Sequence, residues 1–162
     1  MKQEQLEKDS EFGERLLVSS MADKTELADN VRCARAILRS FPNYNIIIRE
    51  HTTEYGIKNP EYVINGLIAD RKGIIGEKGI KWGFISAIDQ GCSAVVIDLD
   101  DNMGDKQLRT WELAKFISWR YRDFQSSTIV KCYVVYHGRA VAIDVSFVSR
   151  EQISSELKKL RP

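Results

Sequence analysis

The dipeptide Asn65-Gly66 limits the possible folds of this chain more than any other feature. It lies between two apolar runs in the stretch KNPEYVINGLIADRKG, residues 58–73. A two-residue type I′ turn requires positive φ angles at both central residues, and Asn-Gly adopts them more readily than other pairs. The stretch is therefore predicted to form a tight antiparallel hairpin that turns at Asn65-Gly66.

The turn also predicts which residues face each other across the hairpin, because a two-residue loop fixes the register of the strands. The pairs are Ile64 with Leu67, Val63 with Ile68, Tyr62 with Ala69 and Glu61 with Asp70. Side chains alternate between the two faces of a strand. One face is therefore expected to carry Glu61, Val63, Ile68, Asp70 and Lys72, and the other Tyr62, Leu67, Ala69 and Arg71.

The predicted pairing of Glu61 with Asp70 is unfavourable, because like charges directly opposite each other destabilise a sheet. A second hairpin, predicted to turn at His137-Gly138, instead places Lys131 opposite Asp144, which is a favourable pair. This contrast within one chain favours a functional role for Glu61 and Asp70 over the alternative, a like-charge pair that strand ends near solvent tolerate at little cost. A cation, a shared proton or a substrate group would offset their repulsion.

Two chemistries fit this face of the hairpin. In the first, Glu61 and Asp70 hold Mg²⁺ or a similar divalent cation that activates water, while Lys72 stabilises the charge developing on a phosphate. In the second, which needs no metal, Asp70, His51 or His137 helps a ribose 2′-hydroxyl attack its own phosphate, and cations stabilise the charge. We assign catalysis to Asp70, Lys72 and Glu61, and substrate binding to Arg71, Lys78, Lys81 and Arg109.

The remaining patterns predict one α/β domain with a mixed central sheet, two hairpins and flanking helices. Residues 1–22 are charged and weakly patterned, which indicates a linker or a frayed N-terminal segment before a domain at 23–162. Within the domain we expect a helix after the capping residue Thr25, a strand in NIIIRE, a helix in IKWGFISAIDQG, a buried strand in SAVVIDLD, a helix over 106–122 and a last helix from Ser149.

Composition argues against several classes of protein. No apolar run approaches the roughly 18 residues of a membrane span, so no membrane segment is expected. The net charge of +1 does not by itself indicate a nucleic-acid-binding protein. The three cysteines, Cys33, Cys92 and Cys132, lie in apolar segments, so we expect buried reduced thiols rather than disulfides or a zinc site.

The segment KQLRTWELAKFISWRYR, residues 106–122, has two interpretations. It has five basic residues, one acidic residue and interleaved aromatic residues, so as a helix it could contact phosphates. Its spacing also fits a core stripe of Trp111, Ala114, Ile117 and Tyr121 with solvated charges around it. We favour the core stripe.

The string Pro60-Glu61, then eight residues, then Asp70-Arg71-Lys72 resembles the PD-(D/E)xK nuclease motif. The expected order of helix, strand, hairpin, helix and strand is also similar to that family's core. The chain departs from the motif at Glu61, where the family usually has an aspartate. The resemblance implies a nuclease in which Glu61 and Asp70 are metal ligands.

A longer resemblance covers the run from NPEYVINGLIADRKG through IKWGFISAIDQGCSAVVIDLDDN. It is similar to the C-terminal toxin domains of contact-dependent growth inhibition (CdiA-type) proteins and to related toxins of phages and mobile elements. The matching positions are Asn59-Pro60-Glu61, Gly66, Asp70, Gln90 and Val95 to Leu99.

This resemblance implies an endonuclease toxin, most often an RNase that cleaves tRNA. Such domains have either a PD-(D/E)xK fold or a metal-free barnase/EndoU/colicin/RelE-like fold. A cognate immunity protein and action in the bacterial cytoplasm are implied too, with delivery as part of a larger secreted or phage-associated protein. Two alternatives stay open, a metal-dependent DNase of PD-(D/E)xK type and a non-catalytic binding module of a phage or mobile element with the same fold.

Overall fold

Eight strands form one mixed sheet in the part of the chain that the computed structural model describes, which is residues 4–54, 56–74, 76–100, 108–123, 129–147 and 149–161. The strands are β1 (Leu6–Asp9), β2 (Gly13–Ser19), β3 (Ile46–Ile48), β4 (Tyr62–Ile64), β5 (Leu67–Gly73), β6 (Ala94–Asp98), β7 (Lys131–Tyr136) and β8 (Arg139–Asp144). The helices are α1 (Leu27–Ser40), α2 (Gly79–Asp89), α3 (Thr110–Asp123) and α4 (Arg150–Leu157), the last followed by a 3₁₀ turn at Lys158–Leu160.

The strands lie side by side in chain order, from β1 to β8. The pairs β2–β3, β5–β6 and β6–β7 are parallel and the other pairs are antiparallel. Each parallel pair is joined through a helix, α1, α2 or α3, as parallel strands require. The described residues thus form a single α/β domain with a mixed central sheet, as the sequence predicts.

The sheet is buried on both faces because α1 packs on one side and α2, α3 and α4 pack on the other. The α1 core includes Leu16, Ile37, Ile46, Tyr62 and Tyr133. The opposite core includes Phe84, Ile97, Ile117, Tyr121 and Ile153. Every residue of β6 is buried, which explains why its sequence is continuously apolar up to Asp98.

The β4–β5 hairpin has the predicted turn and register. Asn65 and Gly66 have φ angles of 45° and 88°, and Ile64, Val63 and Tyr62 pair with Leu67, Ile68 and Ala69. Tyr62 and Ala69 lie in the α1 core, whereas Ile68 packs against the opposite core. The predicted division of the hairpin into two faces is therefore confirmed.

The N-terminal segment differs from expectation. Within residues 1–22, which the sequence suggested to be a linker or frayed, β1 and β2 form a hairpin, and β2 extends the sheet by parallel pairing with β3. Leu16 of β2 is fully buried. The many charged residues of this segment made its strand pattern hard to recognise. Some lie at the edge of the sheet, where charged residues prevent further pairing. Others contact α1, as Asp9 does with Arg35 at 2.7 Å.

The other predicted elements are present with adjusted ends. Ser149 caps α4 by accepting a hydrogen bond from the backbone N–H of Gln152, whereas the predicted cap Thr25 bonds to Asp23 instead and α1 has no side-chain cap. The predicted helix over 106–122 corresponds to α3, and its first two residues lie outside the described residues. Ala114, Ile117 and Tyr121 of the predicted stripe lie in the core, whereas the placement of Trp111 in that stripe is wrong, since this residue is 45% exposed.

Two further predictions from composition concern the cysteines and membrane-spanning segments. The three cysteines are buried, as expected, and no disulfide links them. Within the described ranges, no helix has the length and apolar character needed to cross a membrane.

Gly66→Ala should destabilise the protein by about 1 kcal/mol, because an L-residue with a side chain is strained at this positive φ. No atom lies within 4 Å of the Cβ position, so the loss would report backbone strain rather than a clash. The measurement is urea denaturation. Asn65→Asp is the matched control, since aspartate also tolerates positive φ, and equal stability of Gly66→Ala and the parent would contradict the assigned turn.

Candidate functional site

Glu61, Asp70 and Lys72 meet on the face of the hairpin that is turned away from α1. The Lys72 Nζ lies 2.9 Å from Oδ2 of Asp70, whose side chain is only 6% exposed. The Glu61 carboxyl shares a hydrogen bond with Asp70 and also accepts one from the backbone N–H of Arg71, at 2.6 Å. The acidic pair expected from the register is therefore present, with a lysine in direct contact.

The acidic pair retains a proton at neutral pH. Burial raises the pKa of Glu61 to about 8, helped by the hydrogen bond and the negative charge of Asp70. The N–H and the positive charge of Arg71 act in the opposite direction but are outweighed. One proton shared between two carboxyls gives the site one group that can accept a proton and one that can donate a proton.

The chain before Glu61 is anchored to α2 and to β3. The backbone N–H of Asn59 donates to Oε1 of Gln90 at the end of α2, at 3.0 Å. Arg49, just after β3, donates its backbone N–H to the carbonyl of Glu61 at 2.8 Å and its Nη1 to the carbonyl of Pro60 at 3.1 Å. These bonds hold the Glu61 backbone, so Gln90 and Arg49 are positioning residues for the site.

Cys92 lies beside the acidic pair but is not a nucleophile. Burial, followed by the negative charge of Asp70, raises the pKa of its thiol to about 12. A thiol that stays protonated at neutral pH is unreactive. The side chain of Cys92 therefore contributes to packing next to the site.

The predicted substrate-binding cations do not lie together. Arg71 is on the α1 face, with a side chain that is 7% exposed and with Nη1 only 2.9 Å from Oδ2 of Asp98. The sheet separates this guanidinium from Lys72, so the assignment of Arg71 to substrate binding is corrected to a structural role. Lys78 and Lys81 are exposed on or beside α2, and Arg109 forms an ion pair with Glu77 at 3.5 Å.

The two histidines proposed for the metal-free reaction lie in different places. His51 is exposed and lines the same small cavity as Glu61. His137 occupies the turn between β7 and β8, and its backbone N–H donates to Asp100 at 2.8 Å. His51 therefore shares a cavity with one member of the acidic pair, Glu61.

A buried ion network on the α1 face has no signal in the sequence. Asp98 is completely buried and accepts hydrogen bonds from Arg32 at 2.6 Å and from Arg71 at 2.9 Å. Although burial acts to raise the pKa of Asp98, the hydrogen bonds and charges of these two arginines lower it below its ordinary value. Arg32 and Asp98 are 66 positions apart, so no local spacing could have revealed their contact.

A groove opens next to Lys72, between β5 and α2. It has a volume of about 460 Å³ and is lined by Lys72, Gly73, Ile74, Gly79, Trp82, Gly83 and Ser86. Gly83 permits the close approach of α2, since a Cβ there would lie 3.4 Å from Cβ of Lys72 and 3.2 Å from Cδ1 of Ile97. Trp82 has no functional signal in the sequence, because a tryptophan at helical spacing is ordinarily a core residue.

The donors at the site fit a hard divalent cation. Among the described residues no group of three or more His, Cys, Asp and Glu side chains could hold a metal ion, and the site itself offers two adjoining carboxyl groups, those of Glu61 and Asp70. Mg²⁺ is commonly held by one or two carboxylates, with water and substrate phosphates completing its ligands. Two carboxylates with a half-exposed lysine and an adjoining groove meet that requirement.

Comparisons with known proteins give one distant likeness. No family model matches the chain, and no curated protein matches it. Among solved structures, the chain is similar to one described as a CdiA-CT/CdiI toxin and immunity complex from Burkholderia pseudomallei. The identity is 18%, the TM-score is 0.47, and the match covers 77% of this chain and 91% of that chain.

The raised pKa of Glu61 makes stability depend on pH. In the unfolded chain Glu61 loses its proton near its ordinary value of 4.5, whereas in the folded protein it keeps the proton to about pH 8. The folded state therefore binds more protons between these values, and stability should fall by roughly 3 kcal/mol from pH 5 to pH 8.

Urea denaturation in metal-free buffer at several pH values measures this loss. Glu61→Gln should flatten the profile and make the protein more stable than the parent at pH 8. Glu54→Gln, at an exposed glutamate, is the control and should keep the parental slope. An unchanged slope in Glu61→Gln would contradict the shared proton.

Proposed function

We propose that this domain is an endonuclease that cleaves a phosphodiester bond at the Glu61–Asp70–Lys72 site. The observation that carries the proposal is the contact of two carboxyls and one ammonium group at the end of an open groove. A proton acceptor, a proton donor and a fixed cation are what cleavage of a phosphodiester requires. No purely structural need of the hairpin explains two adjoining acids, since an acid–base pair such as Lys131 with Asp144 would stabilise it better.

The roles follow from the positions of the groups. In the metal-free form, the ionised carboxyl of the pair removes the proton from a ribose 2′-hydroxyl, whose oxygen attacks the adjacent phosphorus. The protonated carboxyl returns a proton to the departing 5′-oxygen, which leaves a 2′,3′-cyclic phosphate. Lys72 neutralises the charge that builds on the phosphate oxygens.

In the metal-dependent form, Glu61 and Asp70 would hold the divalent cation. The bound ion would supply a nucleophilic hydroxide and neutralise phosphate charge. Lys72 keeps the same task of binding the phosphate, and Gln90 and Arg49 keep Glu61 in place through the chain at 59–61. This form would also act on DNA, because it does not use the 2′-hydroxyl.

We further propose that the substrate is tRNA and that the domain is a toxin acting in the bacterial cytoplasm, delivered as part of a larger secreted or phage-associated protein. The support is the resemblance of residues 59–99 to CdiA-type toxin domains. An acidic immunity protein would then cover the exposed surface at Lys72 and Lys81, because opposite charge speeds its capture.

Asp70→Asn and Lys72→Met should each lower tRNA cleavage at least about 100-fold, because they remove a proton-transfer group and the phosphate cation. The chain offers matched controls in Asp144→Asn and Lys131→Met. These residues pair across the second hairpin, and Lys131 is 25% exposed, as is Lys72. The assay is gel analysis of total tRNA after incubation with purified protein.

The same assay with EDTA separates the two forms of the reaction. Loss of parental cleavage in EDTA, restored by Mg²⁺, would assign the metal-dependent form, and full activity in EDTA would assign the metal-free one. Cleavage of single-stranded DNA would extend the activity beyond RNA. Full cleavage by both the Asp70 and the Lys72 variants would mean that the active site lies elsewhere, and no cleavage by the parent would favour a non-catalytic binding module.

Expression of the domain in bacterial cytoplasm should stop growth, and Asp70→Asn should relieve the arrest at equal soluble expression. The reason is the proposed cleavage of a molecule needed for translation. The measurement is growth after induction, with Asp144→Asn as a control that should remain toxic. Co-expression of the product of the adjacent open reading frame should restore growth, whereas unhindered growth with abundant soluble parent would count against a toxin.

A further inference from the structure

Trp82 is the most exposed large hydrophobic residue in the described part of the chain, at 68%. It lies on α2 and lines the groove that also contains Lys72. The two other exposed tryptophans are less exposed, Trp111 at 45% and Trp119 at 37%, and each contacts a neighbouring side chain. Trp111 lies under the guanidinium of Arg150, 4.0 Å from the ring centre, and Trp119 packs against the ring of Phe116.

The surroundings of Trp82 are open and positively charged. Gly79 and Gly83, on the groove side of α2, carry no side chains that could cover the ring. Lys81 lies with its Nζ 5.7 Å from the centre of the Trp82 ring, and Lys78 is exposed one turn earlier. The first turn of α2 contains no acidic residue.

An exposed aromatic ring among cations is the arrangement that binds unpaired bases. Every base has a flat face that can stack on an aromatic side chain, while the phosphates contact lysines. A base in a duplex is already stacked on both sides and would have to leave the helix to reach such a ring. The groove therefore favours a nucleotide from a single strand or a loop.

We infer that the groove between β5 and α2 is a nucleotide subsite in which Trp82 stacks on an unpaired base while Lys72 holds the adjoining phosphate. This inference rests on the proposed function, since Lys72 belongs to both the groove and the proposed catalytic group. It defines the substrate class as single-stranded nucleic acid, including the loops of folded RNA. A strand bound in this way would pass the acidic pair, Lys72 and Trp82 in that order.

The test measures binding without cleavage, in the full chain carrying Asp70→Asn. The probe is a short fluorescent single-stranded RNA of mixed sequence, compared with the same strand annealed to its complement, by fluorescence anisotropy. Adding Trp82→Ala should raise the Kd for the single strand about tenfold, the usual value of one stacked base. Trp82→Phe, which keeps a flat ring, should recover most of the affinity.

Trp111→Ala is the matched control, because it removes an exposed tryptophan from α3, far along the chain from the groove. Its affinity should equal that of the Asp70→Asn parent, and thermal unfolding would show that each variant is folded. The duplex should bind more weakly than the single strand and should not respond to Trp82→Ala.

The inference is overturned if Trp82→Ala leaves the Kd for the single strand unchanged, if the duplex binds as well as the single strand, or if Trp111→Ala is the variant that weakens binding. If the parent protein cleaves RNA but binding does not depend on Trp82, the nuclease proposal holds and the subsite is refuted. Trp82-dependent binding without any cleavage would instead support the subsite and refute the nuclease. The two proposals can therefore fail separately.

Discussion

The left-handed backbone at Asn65-Gly66 is the constraint on which the site depends. It leaves one register for β4 and β5, and a shift by one residue would exchange the two faces of β5. Lys72 would then lie against α1, and Arg71 would lie next to Glu61. The chemistry on one face and the helix packing on the other are therefore set by the same turn.

The charged side chains on the two faces of β5 have different kinds of partners. Toward α1, Arg71 and Arg32 surround the buried Asp98, so that every charge has a partner and the helix is joined to the sheet. Toward α2, two carboxyls share a proton beside one lysine. Removing one partner of the buried ion network would strongly destabilise the fold. The acidic pair, in contrast, has carboxyl groups that a substrate or a cation could contact.

Helix α2 is connected to the surroundings of Glu61, Asp70 and Lys72 at three residues. Gly83 lets the helix approach β5 closely enough to form one wall of the groove beside Lys72. Gln90, at its end, holds the chain that leads to Glu61. Trp82, directly before Gly83, is exposed and belongs to the helix rather than to a loop, so a base stacked on it as proposed would lie at a set distance from the acidic pair.

Local sequence determined the β4–β5 hairpin, its register and the meeting of Glu61, Asp70 and Lys72, because turn chemistry and the two-residue alternation of a strand act between near neighbours. It also determined the order of the main helices and strands. Only the tertiary structure decided that residues 6–19 join the sheet, that Arg71 is buried on Asp98 and that Trp82 stays uncovered. Those outcomes depend on which distant surfaces pack together, and partners such as Arg32 and Asp98, 66 positions apart, leave no spacing in the sequence that identifies them.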